Sequence, residues 1–164
     1  MPNLNHSMNF HHILNHKSDA CAVIRGSDEY PKIHGTVRFY DTNMGVLTRA
    51  EIFNLPENSH ICKSPIFAFH IHSGGSCTGT VPDPFANALT HLNPMNCPHP
   101  YHAGDLPPLF GAGGYAYSVI LTDRFSIRDI IGRTAVIHSS YDDFTTQPAG
   151  NSGKKIACGV IMKG

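Results

Sequence analysis

Short runs rich in β-branched and aromatic residues recur along the chain, and they constrain its fold more than any other feature. Polar and apolar residues partly alternate in TVRFYD and TRAEIF, which is the period of a sheet with one solvent-facing side. Turn-forming residues bound most of the runs. The pattern predicts strands over residues 21–26, 32–41, 45–54, 64–72, 115–122, 133–138 and 155–162. Seven or more such strands indicate an all-β antiparallel sandwich or flattened barrel.

Helical patterns are confined to two short stretches. Residues 9–17 could form two turns, and residues 126–133 start at Ser126 with Asp129 three positions on, an imperfect capping box. Two long stretches, 73–114 and 139–154, have no regular pattern. Because an irregular connection of about forty residues is rare in a compact domain, we expect these two loops to be functional.

Size and charge narrow the class of protein. A chain of 164 residues is the size of one compact domain, and its formal net charge of zero does not favour a nucleic-acid partner. No window approaches the ~18 consecutive apolar residues of a membrane helix. The first twenty residues lack the basic region and the apolar region of a signal peptide. We therefore expect no nucleic acid and no membrane partner. A cytoplasmic location is favoured, although an exported mature form would look the same.

A pair of histidines ends one of the predicted strands. His70 and His72, in FAFHIH, point to the same face of a strand, with Cα atoms roughly 6.5 to 7 Å apart. Two imidazoles at this spacing can reach one metal ion. An isolated H-x-H is as often an ordinary pair of strand-end histidines.

Other ligand-type residues follow in the irregular stretches, so the pair is not isolated. Imidazole suits copper and zinc, and one carboxylate among histidines completes a tetrahedral zinc shell. These further candidates are His91, His99, His102, Asp105 and His138. The residues predict a metal centre built from strand ends and loops.

Several motifs together resemble one family. FHIH, H-x-NP, HAGDLP, IIGRTAVIHSSYDD and GNSGKKIACGVI occur in the order and approximate spacing of copper/zinc superoxide dismutases, and GSC before the loop resembles the bacterial branch. The resemblance covers roughly residues 20–162. It implies an eight-stranded Greek-key barrel with two long functional loops. Residues 20–164 would form this domain, and residues 1–19 would be an N-terminal extension.

The resemblance also implies two metal cofactors, copper and zinc. Copper would be held by His70, His72, His91 and His138, and zinc by His91, His99, His102 and Asp105. His91 would therefore bridge the two metals. Asp142 resembles an outer carboxylate that accepts hydrogen bonds from one ligand of each metal, whereas Asp143 is read as a solvated turn residue.

Cysteine positions fit the same family. Cys77 and Cys158 match its intrasubunit disulfide, which would tie the loop after the H-x-H strand to the last strand. Cys21 is expected to be a buried thiol in the first strand. Cys62 and Cys97 could pair, but sequence does not establish that connectivity.

The implied reaction is dismutation of superoxide to dioxygen and hydrogen peroxide, with His91 and Lys155 as catalytic groups. Lys155 occupies the position where the family typically has an arginine beside copper, and Lys154 is the neighbouring alternative. Lysine keeps the positive charge but lacks the planar fork of hydrogen-bond donors of arginine. We therefore expect activity that is retained but lower than that of an otherwise equal enzyme with arginine at this position. The alternative function is a copper-sequestering protein with little turnover, and a weaker one is a zinc-stabilised structural domain. A homodimer is compatible with the sequence.

Overall fold

The chain folds into eight antiparallel strands and three short helical segments in a computed structural model that describes residues 9–57 and 65–164. The strands are β1 (Ala20–Gly26), β2 (His34–Thr42), β3 (Gly45–Phe53), β4 (Ile66–His72), β5 (Asp105–Phe110), β6 (Ala116–Thr122), β7 (Thr134–His138) and β8 (Lys155–Lys163). The helical segments are α1 (Phe10–Leu14), a 3₁₀ turn (Ala86–Ala88) and α2 (Ile127–Ile130). In these ranges no helix has both the length and the apolar character to cross a membrane.

The strands form one sheet in the order β5-β4-β7-β8-β1-β2-β3-β6, and every neighbouring pair is antiparallel. The edge strands β5 and β6 approach each other, so the sheet is a nearly closed barrel. Strands distant in sequence, such as β4 and β7 or β8 and β1, lie side by side. The predicted all-β Greek-key class is confirmed.

Strand β4 shows how the barrel positions polar groups. Phe67, Phe69 and Ile71 point into the apolar core, so the alternation of a strand turns His70 and His72 to the opposite face. That face is not solvent-exposed, because the long loops cover it and bury both histidines. The H-x-H pair is therefore presented outside the core but beneath the loops.

One strand lies where the sequence predicted an irregular stretch. β5 falls within residues 73–114, and its Pro107 and Pro108 hid it, because proline lacks the N–H that a central strand needs. β5 pairs only with β4 at an edge of the sheet, where prolines are tolerated. The first long loop is consequently shorter than predicted and ends before Asp105, whereas the second keeps its predicted length.

Both helices are shorter than the predicted ranges. α2 begins after Ser126, whose N–H and hydroxyl both donate to the carboxylate of Asp129, at 2.8 and 2.7 Å. It ends before Gly132, which has a left-handed φ of +77° that stops the helix. The predicted capping contact is present, but the helix has only four residues.

The predicted disulfide joins Cys77 to Cys158 across 81 residues and ties the loop after β4 to β8. Cys21 is partly exposed on β1, so the expectation of a buried thiol was wrong. Its side chain alternates with the inward Ala20 and Ala22, which explains the exposure. Cys62 lies outside the described residues, and its pairing with Cys97 stays a prediction.

Candidate metal centre

Two groups of four buried ligand-type side chains lie side by side and share His91. We call them the strand group (His70, His72, His91 and His138) and the loop group (His91, His99, His102 and Asp105). In each group the candidate ligand atoms all lie within 4.8 Å of one another. One ion at ordinary metal–ligand bond lengths could therefore reach all four residues of a group.

Strands β4 and β7 position most of the strand group. His70 pairs in register with Val136, so β7 brings its terminal His138 beside the H-x-H pair. The loop that carries His91 is tied to β4 by backbone hydrogen bonds from Leu92 N–H to the carbonyl of Ile71, at 2.8 Å, and from Ile71 N–H to the carbonyl of Gly104, at 2.9 Å. Backbone pairing thus fixes where each ring enters the site.

Each ring of the strand group has one nitrogen anchored away from the centre. His70 Nε2 donates to Asp142 Oδ2 at 2.8 Å, and His72 Nδ1 donates to the Leu89 carbonyl at 2.9 Å. His138 Nδ1 makes a longer contact of 3.4 Å with the Gly153 carbonyl. The opposite nitrogens converge, with 3.2 Å between Nε2 of His72 and Nε2 of His138. Such outer acceptors fix the tautomer and orientation of metal-binding imidazoles.

The loop group surrounds the carboxylate of Asp105, the first residue of β5. His91 Nδ1 lies 2.7 Å from Asp105 Oδ1. His99 Nδ1 and His102 Nδ1 lie 3.0 and 3.3 Å from Asp105 Oδ2. Three imidazole nitrogens and one carboxylate therefore face a common point, which is the donor set of a tetrahedral zinc site.

Asp142 connects the two groups. Its Oδ2 accepts from His70 of the strand group, and its Oδ1 accepts from His99 Nε2 of the loop group at 2.8 Å. Burial raises the pKa of Asp142, but hydrogen bonds from His70, the Phe144 N–H and His99 more than offset it and hold that pKa well below its usual range. The carboxylate is ionised at neutral pH.

A glycine makes this bridge sterically possible. Gly150 has a left-handed φ of +66°, and a Cβ added there would collide with the Asp142 carboxylate and lie 2.7 Å from His99 Nε2. The backbone at residue 150 therefore closes directly over the Asp142–His99 hydrogen bond. Only glycine meets both requirements.

Burial keeps three histidines of the strand group, His70, His72 and His138, in the neutral form. Desolvation, with the neighbouring imidazoles, lowers the pKa of His138 to about 3 and the pKa of His72 well below its ordinary value. The pKa of His70 is lowered by the same burial despite its hydrogen bond to Asp142. Neutral imidazoles retain the lone pair that a metal ion needs.

Unpaired buried nitrogens test whether metals fit these groups. Within the described ranges, His70 Nδ1, His91 Nε2 and His99 Nδ1 are buried without a hydrogen-bond partner. His99 Nδ1 is close to Asp105, but the contact lacks hydrogen-bond geometry. Buried polar atoms without partners are rare and costly in folded proteins, and a metal ion in each group would satisfy all three. Four imidazoles suit copper, so the residues fit both metals.

Comparison with known proteins gives the same metals. The model of the family described as copper/zinc superoxide dismutase (SODC) matches residues 33–161. A copper/zinc superoxide dismutase of Aquifex aeolicus is 34% identical over 145 residues, which are 79% of this chain and 80% of that protein. That of Legionella pneumophila is 32% identical over 151 residues, 87% of this chain and 86% of that protein. The chain belongs to the copper/zinc superoxide dismutase family.

A solved structure supports the fold of this superoxide dismutase family member. The copper/zinc superoxide dismutase from Brucella abortus superposes with a TM-score of 0.72 at 23% identity, over 86% of this chain and 98% of that one. The predicted family, enzyme class and pair of cofactors are confirmed. The roles assigned to individual residues stay predictions, which the geometry supports.

A cavity of about 500 Å³ opens beside the strand group of this superoxide dismutase family member. His72, His91 and His138 line it together with Lys154 and Lys155. Lys155 is the cross-strand partner of His138 in the β7–β8 register. Of the two lysines, the predicted Lys155 is therefore the one directly opposite a candidate copper ligand.

Two further residues escaped the sequence analysis. The ammonium group of Lys155 donates to Asp83 Oδ2 at 2.6 Å, across the cavity wall. Arg124 Nη1 donates to the carbonyls of Pro100, His102 and Asp105, at 2.9, 3.3 and 3.1 Å, and so holds the loop group from outside. No sequence motif marks Asp83 or Arg124 as functional. The PDP sequence at residues 82–84 indicates a turn, which is the one feature that points to Asp83.

Proposed function

We propose that the protein converts superoxide to dioxygen and hydrogen peroxide, with copper in the strand group and zinc in the loop group. His91 carries the proposal, because it is 5% exposed and belongs to both groups. Its Nδ1 faces Asp105, and its Nε2 is buried without a hydrogen-bond partner in the described residues. One imidazole placed in this way can bridge two cations. The family membership supports the reaction.

The reaction consumes one proton for each superoxide anion and forms one dioxygen and one peroxide from two anions. When bound, copper supplies a centre that accepts and returns one electron, and zinc supplies a fixed positive charge. His91 Nε2 would hold a proton between the two half-reactions and deliver it to the reduced dioxygen. The Nδ1 side stays oriented in the loop group throughout.

Other side chains keep the site in one arrangement. Asp142 orients His70 and His99, while the carbonyls of Leu89 and Gly153 orient His72 and His138. Fixed acceptors reduce the rearrangement needed when the charge at the centre changes. Lys155 attracts the anion through the cavity that reaches His138.

The test of this function combines metal analysis with pulse radiolysis. We expect one copper and one zinc per chain, rapid dismutation, and loss of activity on chelation. His91→Ala should abolish dismutation, whereas His34→Ala at an exposed strand end should not. Stoichiometric copper without turnover would contradict the proposal.

The role of Lys155 has its own test. We expect Lys155→Met to lower the dismutation rate and Lys155→Arg to raise it by about two- to tenfold, the effect of one added hydrogen bond. An unchanged or lower rate in Lys155→Arg would contradict the idea that lysine limits the reaction.

A copper-sequestering function is the second candidate. The observation that favours it is the ion pair between Lys155 and Asp83, which leaves less free positive charge beside the cavity. Tight copper binding with negligible turnover at any ionic strength would support it over dismutation.

We also propose residues 20–164 as the enzymatic domain, with residues 1–19 as an extension. β1 begins at Ala20, and Ala20 pairs with Lys163 near the end of the chain. Deletion of residues 1–17 should leave metal content and dismutation unchanged. A homodimer stays a prediction, tested by the molar mass in solution.

A further inference from the structure

The counter-ion of Lys155 carries an inference about anion selectivity. We propose that Asp83 is a specificity-determining residue: by holding the Lys155 ammonium group, it weakens the attraction of the cavity for anions, and for dianions more than for monoanions. The inference rests on the proposed role of Lys155. It adds a residue that no motif assigned and that lies 72 positions away from Lys155 in sequence.

The position of Asp83 is fixed by the loop that carries it. Its carbonyl accepts from the N–H of Thr80 at 2.9 Å and of Ala86 at 3.2 Å, and its Oδ1 accepts from Phe85 N–H at 3.2 Å. Phe85 packs in a small buried cluster with Cys158. The disulfide from Cys158 to Cys77 attaches the same loop to β8, the strand that begins at Lys155.

The ion pair lies at the edge of the cavity and not in bulk solvent. The Lys155 side chain is 15% exposed and that of Asp83 is 41% exposed, so solvent screens the pair only in part. Among the described residues that line the cavity, Asp83 supplies the one carboxylate, and Lys154 and Lys155 supply the cationic groups. The charge felt by an entering anion therefore depends on whether Asp83 engages Lys155.

Cavity size alone does not select superoxide. A space of about 500 Å³ admits anions much larger than a diatomic one, such as sulfate or phosphate. The interaction of an anion with a fixed charge is proportional to the charge of the anion. A carboxylate that reduces the positive potential therefore costs a dianion twice the binding free energy that it costs a monoanion. The fold-change in the dissociation constant of the dianion is then the square of that of the monoanion.

Asp83→Asn isolates this effect because asparagine keeps the shape and can still accept from the Phe85 N–H. Asp41→Asn is the matched control, since it changes the net charge equally at an exposed position at the end of β2. The copper-loaded proteins are titrated with azide, a monoanion, by visible absorption, and azide is then displaced by sulfate, a dianion. Metal content is measured for every variant.

We expect Asp83→Asn to lower the azide dissociation constant by about threefold, as for a partly exposed charge pair. The sulfate dissociation constant should fall by about ninefold, the square of that factor. Asp41→Asn should change neither. When Lys155→Met is already present, adding Asp83→Asn should give a smaller gain, because no ammonium group is released.

Three results would overturn the proposal: equal constants in Asp83→Asn and Asp41→Asn, a sulfate gain no larger than the azide gain, or a full gain in the Lys155→Met background. Failure of the proposed function is distinguished by a different measurement. An unchanged dismutation rate in Lys155→Met would remove the role of Lys155 in the reaction, whereas the Asp83 test is read in anion affinity.

Discussion

The strand group and the loop group hold ligands of the same type by different means. In the strand group, the ladder between β4 and β7 sets the positions of three of the four histidines. In the loop group, all four residues come from one segment, residues 91–105, which depends on contacts made from outside it. Strand pairing within the barrel therefore positions most ligands of the strand group. The ligands of the loop group depend on hydrogen bonds from residues outside their segment, such as Asp142 and Arg124.

The disulfide, which ties the loop after β4 to β8, should have the largest effect on stability. Cys77→Ala with Cys158→Ala should lower the free energy of unfolding by about 4 kcal/mol, since the closed loop spans 81 residues. Denaturant unfolding of the metal-free protein measures this. Cys21→Ala, which removes a thiol outside the disulfide, is the control and should change stability by far less.

Asp142 should affect metal binding through both groups, and the loop group more strongly. We expect Asp142→Asn to lower zinc affinity by roughly 10- to 100-fold, because removal of an outer hydrogen-bond acceptor commonly costs that much. Copper affinity should fall less, since strand pairing still holds His70. Competition with a chelator gives both constants. Asp41→Asn, at an exposed position far from both groups, should leave both nearly unchanged, and equal losses of the two metals would contradict the comparison.

Acid should destabilise the metal-free protein because His70, His72 and His138 are buried in the neutral form. The pKa of His138 is lowered to about 3, so between that pH and about 6.5 the unfolded chain binds a proton that the folded chain does not. Stability therefore falls as pH falls through this window. From pH 7 to pH 5, His138 alone accounts for about 2 kcal/mol.

Unfolding of the metal-free protein at several pH values checks this dependence. His138→Gln should flatten it by the amount assigned to His138, whereas His34→Gln should not. Lowered pKa values of Asp105 and Asp142 act in the same direction, since their stabilisation is lost as pH falls. A stability that rises on acidification would contradict the assignment.

Arg124 should have the smallest of these effects and should separate the two groups most clearly. Arg124→Met removes three hydrogen bonds, two to carbonyls of the loop group and one to the carbonyl of the neighbouring Pro100, and we expect zinc affinity to fall by about tenfold. Copper affinity should not change. Arg124→Lys should restore part of the loss, because a lysine can reach fewer carbonyls at once. Arg128→Met on the exposed side of α2 is the matched control.

Sequence patterns were informative where period and motif act locally. The runs of β-branched residues located seven of the eight strands, and β5 was missed because Pro107 and Pro108 oppose the strand pattern that an edge position permits. Of the eight candidate metal and outer residues, His70 and His72 followed from the period of a strand, and the order of the motifs assigned roles to all eight. Their convergence into two groups agrees with that order.

Contacts between distant residues could not be predicted in this way. Asp83 meets Lys155, and Arg124 meets residues 100–105, only after the barrel has closed. An aspartate in a proline-rich turn and an arginine after a strand are also ordinary surface residues. Gly150 is similar: its requirement arises from the nearby Asp142 carboxylate, which no periodicity reports.

The carboxylate shared by His70 and His99 makes occupancy at one ion-binding position energetically dependent on the other. An ion that orders His99 also holds Asp142 still, and the entropy of fixing His70 is then already partly spent when the second ion arrives. Such cooperativity is reciprocal by thermodynamic necessity: whatever factor zinc adds to the copper association constant, copper must add to that of zinc.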